Sequence, residues 1–129
     1  MTTELVSLAS DGSQGNGFSG IPSLSENGHY VVFQSYTANL VSDVTSEVRE
    51  IFIHDRTSHV TQRVSIASDG IQGNDDTYGI PVLSSDGRFV AFEVVIGRKD
   101  LNSTWHENLQ FSFSPAINKS SGAVLARVE

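Results

Sequence analysis

The chain has no cysteine, which excludes a disulfide framework, a thiolate metal centre and a cysteine nucleophile, and leaves the redox compartment unencoded. Basic residues are scarce: eight Lys and Arg stand against 15 Asp and Glu, a formal charge of -7. Phosphate backbones bind basic surfaces, so no nucleic-acid partner is expected, while solubility and cation binding are favoured. No apolar run approaches the about 18 residues that mark a membrane span. The opening Met1-Thr2-Thr3-Glu4-Leu5-Val6 has neither a basic n-region nor an apolar h-region, so neither a signal peptide nor membrane insertion is expected here. Helical periodicity of useful length is also missing. The 129 residues amount to one domain, and a compact fold of that size buries about two-thirds of its unfolded surface.

What the chain does have is a repeat. Ser7-Leu8-Ala9-Ser10-Asp11-Gly12-Ser13-Gln14-Gly15-Asn16 returns as Ser65-Ile66-Ala67-Ser68-Asp69-Gly70-Ile71-Gln72-Gly73-Asn74. Each copy leads into an apolar-polar run, Ile21-Pro22-Ser23-Leu24-Ser25 and then Ile80-Pro81-Val82-Leu83-Ser84. A fixed period of about 58 to 59 residues implies stacked units, none of which buries its own faces alone.

Residues 3–7 match Thr61-Gln62-Arg63-Val64-Ser65, so the chain is expected to begin with the last, outer strand of a unit. A loop over the Ser-Asp-Gly segment follows. Residues 20–25 then form an edge strand, where a proline is tolerated. Asn27-Gly28 and Asp86-Gly87 predict type I′ hairpin turns, with return strands Tyr30-Val31-Val32-Phe33-Gln34-Ser35 and Phe89-Val90-Ala91-Phe92-Glu93-Val94. A polar connection, residues 36–49, reaches Ile51-Phe52-Ile53-His54-Asp55, which is apolar enough to be buried on both faces. A turn at Thr57-Ser58 leads to Val60-Thr61-Gln62-Arg63-Val64. One unit is therefore four antiparallel strands, A to D. In the second unit residues 109–113 are predicted as strand C and residues 123–128 as strand D, with a Ser121-Gly122 turn between them. The predicted organisation is a single all-β segment: outer strand 3–7, blade one at about 20–65 and blade two at about 79–128.

The run Ile21-Pro22-Ser23-Leu24-Ser25-Glu26-Asn27-Gly28-His29-Tyr30-Val31-Val32-Phe33, with Ile51-Phe52-Ile53-His54-Asp55-Arg56 and Arg63-Val64-Ser65, resembles the TolB-like, WD-type β-propeller repeat. Residues 3–94 carry the resemblance, whereas residues 109–114 lack the His-Asp ending. It implies four-stranded blades around a central channel, in bacterial periplasmic or secreted proteins that bind partners and are often non-catalytic. Propellers close with about four to eight blades, and two are present here. Two stacked blades leave two outer sheet faces bare, which favours a homo-oligomer closed by heterologous contacts, a trimer before a tetramer. The alternatives are a fragment of a larger propeller and an inactive gene product.

In such a meander the long loops 8–19, 36–49, 66–78 and 96–108 share one end, and loops on a rigid scaffold carry binding residues. Asp69, Gln72, Asn74, Asp75 and Asp76 gather oxygen atoms in one loop. Calcium takes about six to eight such ligands, but the spacing is not that of an EF-hand, and turn-capping Asp and Asn are the plainer reading. Trp105 beside His106 offers a stacking surface for a sugar or a peptide anchor. His54-Asp55 are adjacent on a strand and point to opposite faces, so they read as structural, like Asn27, Gly28, Asp86 and Gly87. His29, His59 and His106 lack metal-ligand spacing, and no catalytic residue or metal site is assigned. The function expected is a non-enzymatic binding or scaffold module for a protein, glycan or small ligand. The rival is a hydrolase or enzyme part with acidic and His residues at the channel mouth, although no G-x-S-x-G elbow is present.

Overall fold

The computed structural model describes residues 1–42, 48–65, 77–94 and 122–127. Among the described residues seven strands form two antiparallel sheets. The first holds β1 (Ser19–Leu24), β2 (Tyr30–Ser35), β3 (Glu50–Asp55) and β4 (Val60–Arg63), in that order. The second holds β5 (Thr77–Leu83), β6 (Phe89–Val94) and β7 (Gly122–Arg127). Among the described residues no helix is long and apolar enough to cross a membrane.

The β-branched and aromatic residues of β2 and β3 suit a pleated sheet with both faces covered, and all but the outermost residues of the pair are buried. β1 lies at the sheet edge as expected. Its ladder to β2 is interrupted between Gly20 and Ser23, where Ile21 takes a positive φ of 52° next to Pro22. A proline at a bulge on an edge strand costs no ladder hydrogen bond.

Both hairpins turn in the same way, and not as type I′. That turn needs positive φ at both central residues, but Asn27 and Asp86 are not left-handed while Gly28 (φ 72°) and Gly87 (φ 75°) are. Instead Gly28 N–H donates to Ser25 C=O and Gly87 N–H donates to Ser84 C=O, each at 2.9 Å. These are type I turns closed by a left-handed glycine. The serine two residues before Asn27 or Asp86 decides the outcome. Ser25 Oγ accepts the Tyr30 N–H at 3.0 Å and donates to Asn27 Oδ1 at 2.8 Å. Ser84 Oγ does the same for the Phe89 N–H (3.0 Å) and Asp86 Oδ1 (2.7 Å). Ser25 is buried, so Ser25→Ala strands an amide. The expected loss is about 1–3 kcal/mol in urea unfolding. Ser84→Ala, at a more open turn, is expected to cost less because water replaces the hydroxyl.

β7 differs from its predicted place. It pairs directly with β6, antiparallel, with Phe89 opposite Arg127 and Phe92 opposite Val124. The matching pairs in the first sheet are Tyr30 with Asp55 and Phe33 with Phe52. β7 thus sits in the third position, where β3 sits, and not in the fourth. The continuous apolar run Ala123-Val124-Leu125-Ala126 matches the apolar run Ile51-Phe52-Ile53 of β3, whose position it takes. The strand predicted at 109–113 lies outside the described residues. Residues 3–7 form no strand; Glu4 instead makes a 2.7 Å ion pair with Arg56.

β5 packs against β1, β2 and β3, so the second sheet lies on one face of the first. That face carries Tyr30, Val32, Gln34, Ile51 and Ile53, since Val32 pairs with Ile53 and Gln34 with Ile51. At its edge the hairpins touch: Glu26 N–H donates to Ser85 C=O (3.2 Å), and the Tyr30 ring covers Gly87. The second sheet turns Leu83, Val90 and Phe92 inward and leaves Val82, Phe89 and Ala91 exposed. The opposite face of the first sheet holds Phe33 and Phe52, stacked 5.9 Å apart and covered by Leu40 and Val41. One of the two faces expected to be bare is therefore largely covered by the chain's own connection, while the other is open among the described residues.

Candidate functional site

Residues 7–15 form a miniature hairpin. Asp11 Oδ1 accepts from the Ser13 N–H (2.8 Å) and hydroxyl (2.6 Å), and Gly12 closes the turn at φ 86°. Its next stretch is clasped to the β2–β3 connection. Asn39 Oδ1 accepts the Asn16 N–H (2.9 Å), Asn16 Oδ1 accepts the Ala38 N–H (3.2 Å), and Asn39 Nδ2 donates to Gln14 C=O (2.9 Å). Two loops 22 to 25 residues apart in sequence are thereby held in one arrangement. Between them runs an open groove of about 590 Å³ whose walls include Asp11, Asn39 and Val41, with Thr61 at its floor.

Thr61 anchors the hairpin to the first sheet. Its N–H and C=O point outward from β4, where the Ser10 hydroxyl accepts from the one (3.0 Å) and donates to the other (3.4 Å). A side chain thus satisfies an edge strand that would otherwise offer both groups to another chain. The Thr61 hydroxyl donates to Leu8 C=O and lies 2.8 Å from His54 Nδ1. Having given its only proton to Leu8, that oxygen accepts from His54, which fixes the Nδ1–H tautomer.

His54 is buried, and burial pushes its pKa down, helped by His59 and Arg56 against the opposing pull of Glu4 and Asp55. The unfolded chain therefore binds the proton more readily than the folded one, so this contribution to stability is complete above the ordinary histidine value of about 6.5 and declines as pH falls below it. The melting midpoint of the wild type is expected to fall between pH 7.5 and 5.5, and His54→Gln is expected to flatten that slope. Several carboxylates are held below the usual carboxylate range. Glu4 is held down by its Arg56 hydrogen bond and Asp11 by Ser13. Burial opposes ionisation of Asp55, but the Thr57 and Ser58 N–H groups outweigh it and hold its carboxyl below the usual range.

Among the residues singled out from sequence, Asp69, Gln72, Asn74, Asp75, Asp76, Trp105 and His106 lie outside the described residues, and with them the calcium and stacking readings. Asn27, Gly28, Asp86 and Gly87 sit at the short-turn end, away from the asparagine clasp. His54 and Asp55 also end β3 there, with Asp55 capping the turn into β4. Among the described residues no three of His, Asp and Glu gather as metal ligands. Sequence reasoning missed the polar end of the first sheet. Glu50 is buried at the start of β3 and accepts the Ser65 hydroxyl, which in turn accepts the Ile51 N–H (2.9 Å). Nearby, Arg49 donates to the Tyr36 hydroxyl (2.8 Å) and stacks 5.0 Å over that ring. A glutamate opening a strand carries no sequence signal for burial; Ser65 was visible only as part of the repeat.

The fold and the groove define the class: an all-β chain of two packed antiparallel sheets with a clasped loop flank. Comparison with protein-family models, with curated proteins and with solved structures yields no match.

Proposed function

We propose that the chain is a non-enzymatic binding or scaffold module built from propeller-type blades, completed by further copies of itself and presenting its loops to a ligand. The observation that carries this reading is the asparagine clasp. Residues 14–16 and 38–39 spend their hydrogen bonds on holding two loops in register above a groove, the pre-organisation a binding surface needs. The resemblance to TolB-like repeats supports the blade reading, as does the shared order of the first three strands in both sheets.

The test is a titration of isotope-labelled protein with hexoses, N-acetylhexosamine oligomers and short peptides, followed by amide shifts. Binding is expected to move Asp11, Asn16, Ala38, Asn39 and Ser42, and to be lost in Asn39→Ala. Shifts confined to the short turns at Asn27-Gly28 and Asp86-Gly87, or no shifts at all, would overturn the reading.

A further inference from the structure

A cavity of about 330 Å³ lies between the two sheets at their short-turn end, at the small end of the about 300–1,000 Å³ that ligand pockets span. It shares no residue with the groove beside the asparagine clasp. Its origin is in the packing. β5 seats on β1, β2 and β3, and the β5–β6 hairpin stands over the inner face of β3 and β4 without filling it. Ile53 gives an apolar floor and is only 3% exposed, while Val60, on the same face, is left 39% exposed. The Tyr30 ring, packed over Gly87, joins hairpin to sheet in the same wall.

Two opposite charges line this apolar slot. Asp55 comes from the end of β3 and Arg88 from the β5–β6 hairpin. They form no ion pair with each other. Burial opposes ionisation of Asp55, but the Thr57 and Ser58 N–H groups that donate to its Oδ1 (2.8 and 3.2 Å) outweigh burial and keep it charged at neutral pH. A carboxylate offers about four acceptor positions, so two amides leave capacity for a cationic donor. The Arg88 backbone is fixed by its N–H bond to Asp86 Oδ1 (3.0 Å), and its guanidinium is a planar donor fork suited to a carboxylate. The repeat does not account for this pair. Arg127 stands opposite Phe89 where Asp55 stands opposite Tyr30, and His29 holds the place of Arg88 in the first hairpin. The charges belong to the cavity and not to hairpin chemistry.

We propose that this cavity binds a free α-amino acid with an apolar side chain. Asp55 receives the ammonium group, Arg88 the carboxylate, and Ile53, Val60 and the Tyr30 ring the side chain. A ligand with one charge meets only one of the two groups and forgoes a charge-assisted hydrogen bond. The site goes beyond the binding reading given above and does not depend on the clasp.

The test is a titration of isotope-labelled full-length protein with L-leucine, N-acetyl-leucine and leucinamide. Leucine is expected to move the amides of Ser58, Val60, Gly87 and Arg88 along saturable curves and to leave Asn16, Ala38 and Asn39 in place. Each blocked form lacks one charge and is expected to bind at least about tenfold more weakly, the loss of one charged hydrogen bond. Arg88→Gln, at an exposed position, is expected to keep the wild-type urea midpoint and to bind leucine no better than leucinamide. Asp55→Asn keeps the Oδ1 acceptor of the turn and is expected to bind leucine no better than N-acetyl-leucine. Amides at the cavity unmoved by leucine, a blocked form that binds as tightly as leucine, or unchanged affinity in a folded Arg88→Gln protein would overturn the proposal. Each of these results leaves the groove reading standing, since the two sites have no residue in common.

Discussion

Phe52→Ala is expected to lower the unfolding free energy by about 3–5 kcal/mol, the range for removing a buried aromatic ring from a core. Phe52 has no exposed surface, stacks on Phe33 and is roofed by Leu40. It lies on the central strand β3, so the vacated space is walled by ladders on both sides and by the β2–β3 connection above. The strands cannot close in without breaking the register of Phe33 with Phe52, and only the connection has freedom to settle. Single domains are stable by about 5–15 kcal/mol, so this one change takes a large share. Urea unfolding of Phe52→Ala beside Phe52→Leu checks it, with the leucine variant expected to lose less than half as much. A loss below about 1 kcal/mol for alanine would mean that Leu40 and Phe33 do not enclose the ring.

Gly87→Ala is expected to cost about 2–5 kcal/mol, and Gly28→Ala only about 1–2 kcal/mol. The two glycines hold equivalent left-handed positions, φ 75° and 72°, so both variants bear the same backbone penalty of about 1–2 kcal/mol. Their surroundings differ. A Cβ at Gly28 meets nothing closer than an Arg56 nitrogen at 3.5 Å, whereas at Gly87 it falls well inside van der Waals contact with Tyr30 Cδ2. Tyr30 belongs to the other sheet, so the excess measures overpacking between sheets, typically about 1–3 kcal/mol. Thermal or urea unfolding of the pair, with Tyr30→Ala added to the Gly87 variant, isolates it. The double variant is expected to show less of the excess. Equal losses at the two glycines would mean that the hairpins do not meet.

Much of the first sheet was legible because its signals are local. Asn27-Gly28 and Asp86-Gly87 mark both hairpins, and the apolar run Ile51-Phe52-Ile53 marks a strand buried on both faces. The turn type was misread because Asn-Gly alone suggests type I′, while the deciding group is the serine hydroxyl two residues earlier. β7 was misplaced because Arg127 echoes Arg63 in sequence; the unbroken apolar run before it was the better guide to a third position. Residues 3–7 copy β4 in sequence but form no strand, since pairing depends on an edge that local sequence does not supply. The groove was hidden for a related reason. Ser10 meets Thr61 across 51 residues and Asn16 meets Ala38 across 22, and neither pairing leaves a periodic trace.

The central claim is that the two sheets stack in one sense and so leave an apolar face for another copy. Absolute mass in solution tests it most directly, by light scattering on the unmodified chain and on Val82→Lys, which places a charge on the exposed face of β5. The expected result is an integral multiple of 13.9 kDa for the unmodified chain, threefold before fourfold, and 13.9 kDa with cooperative unfolding for Val82→Lys. A stable 13.9 kDa particle for the unmodified chain, or a mass that Val82→Lys leaves unchanged, would contradict it.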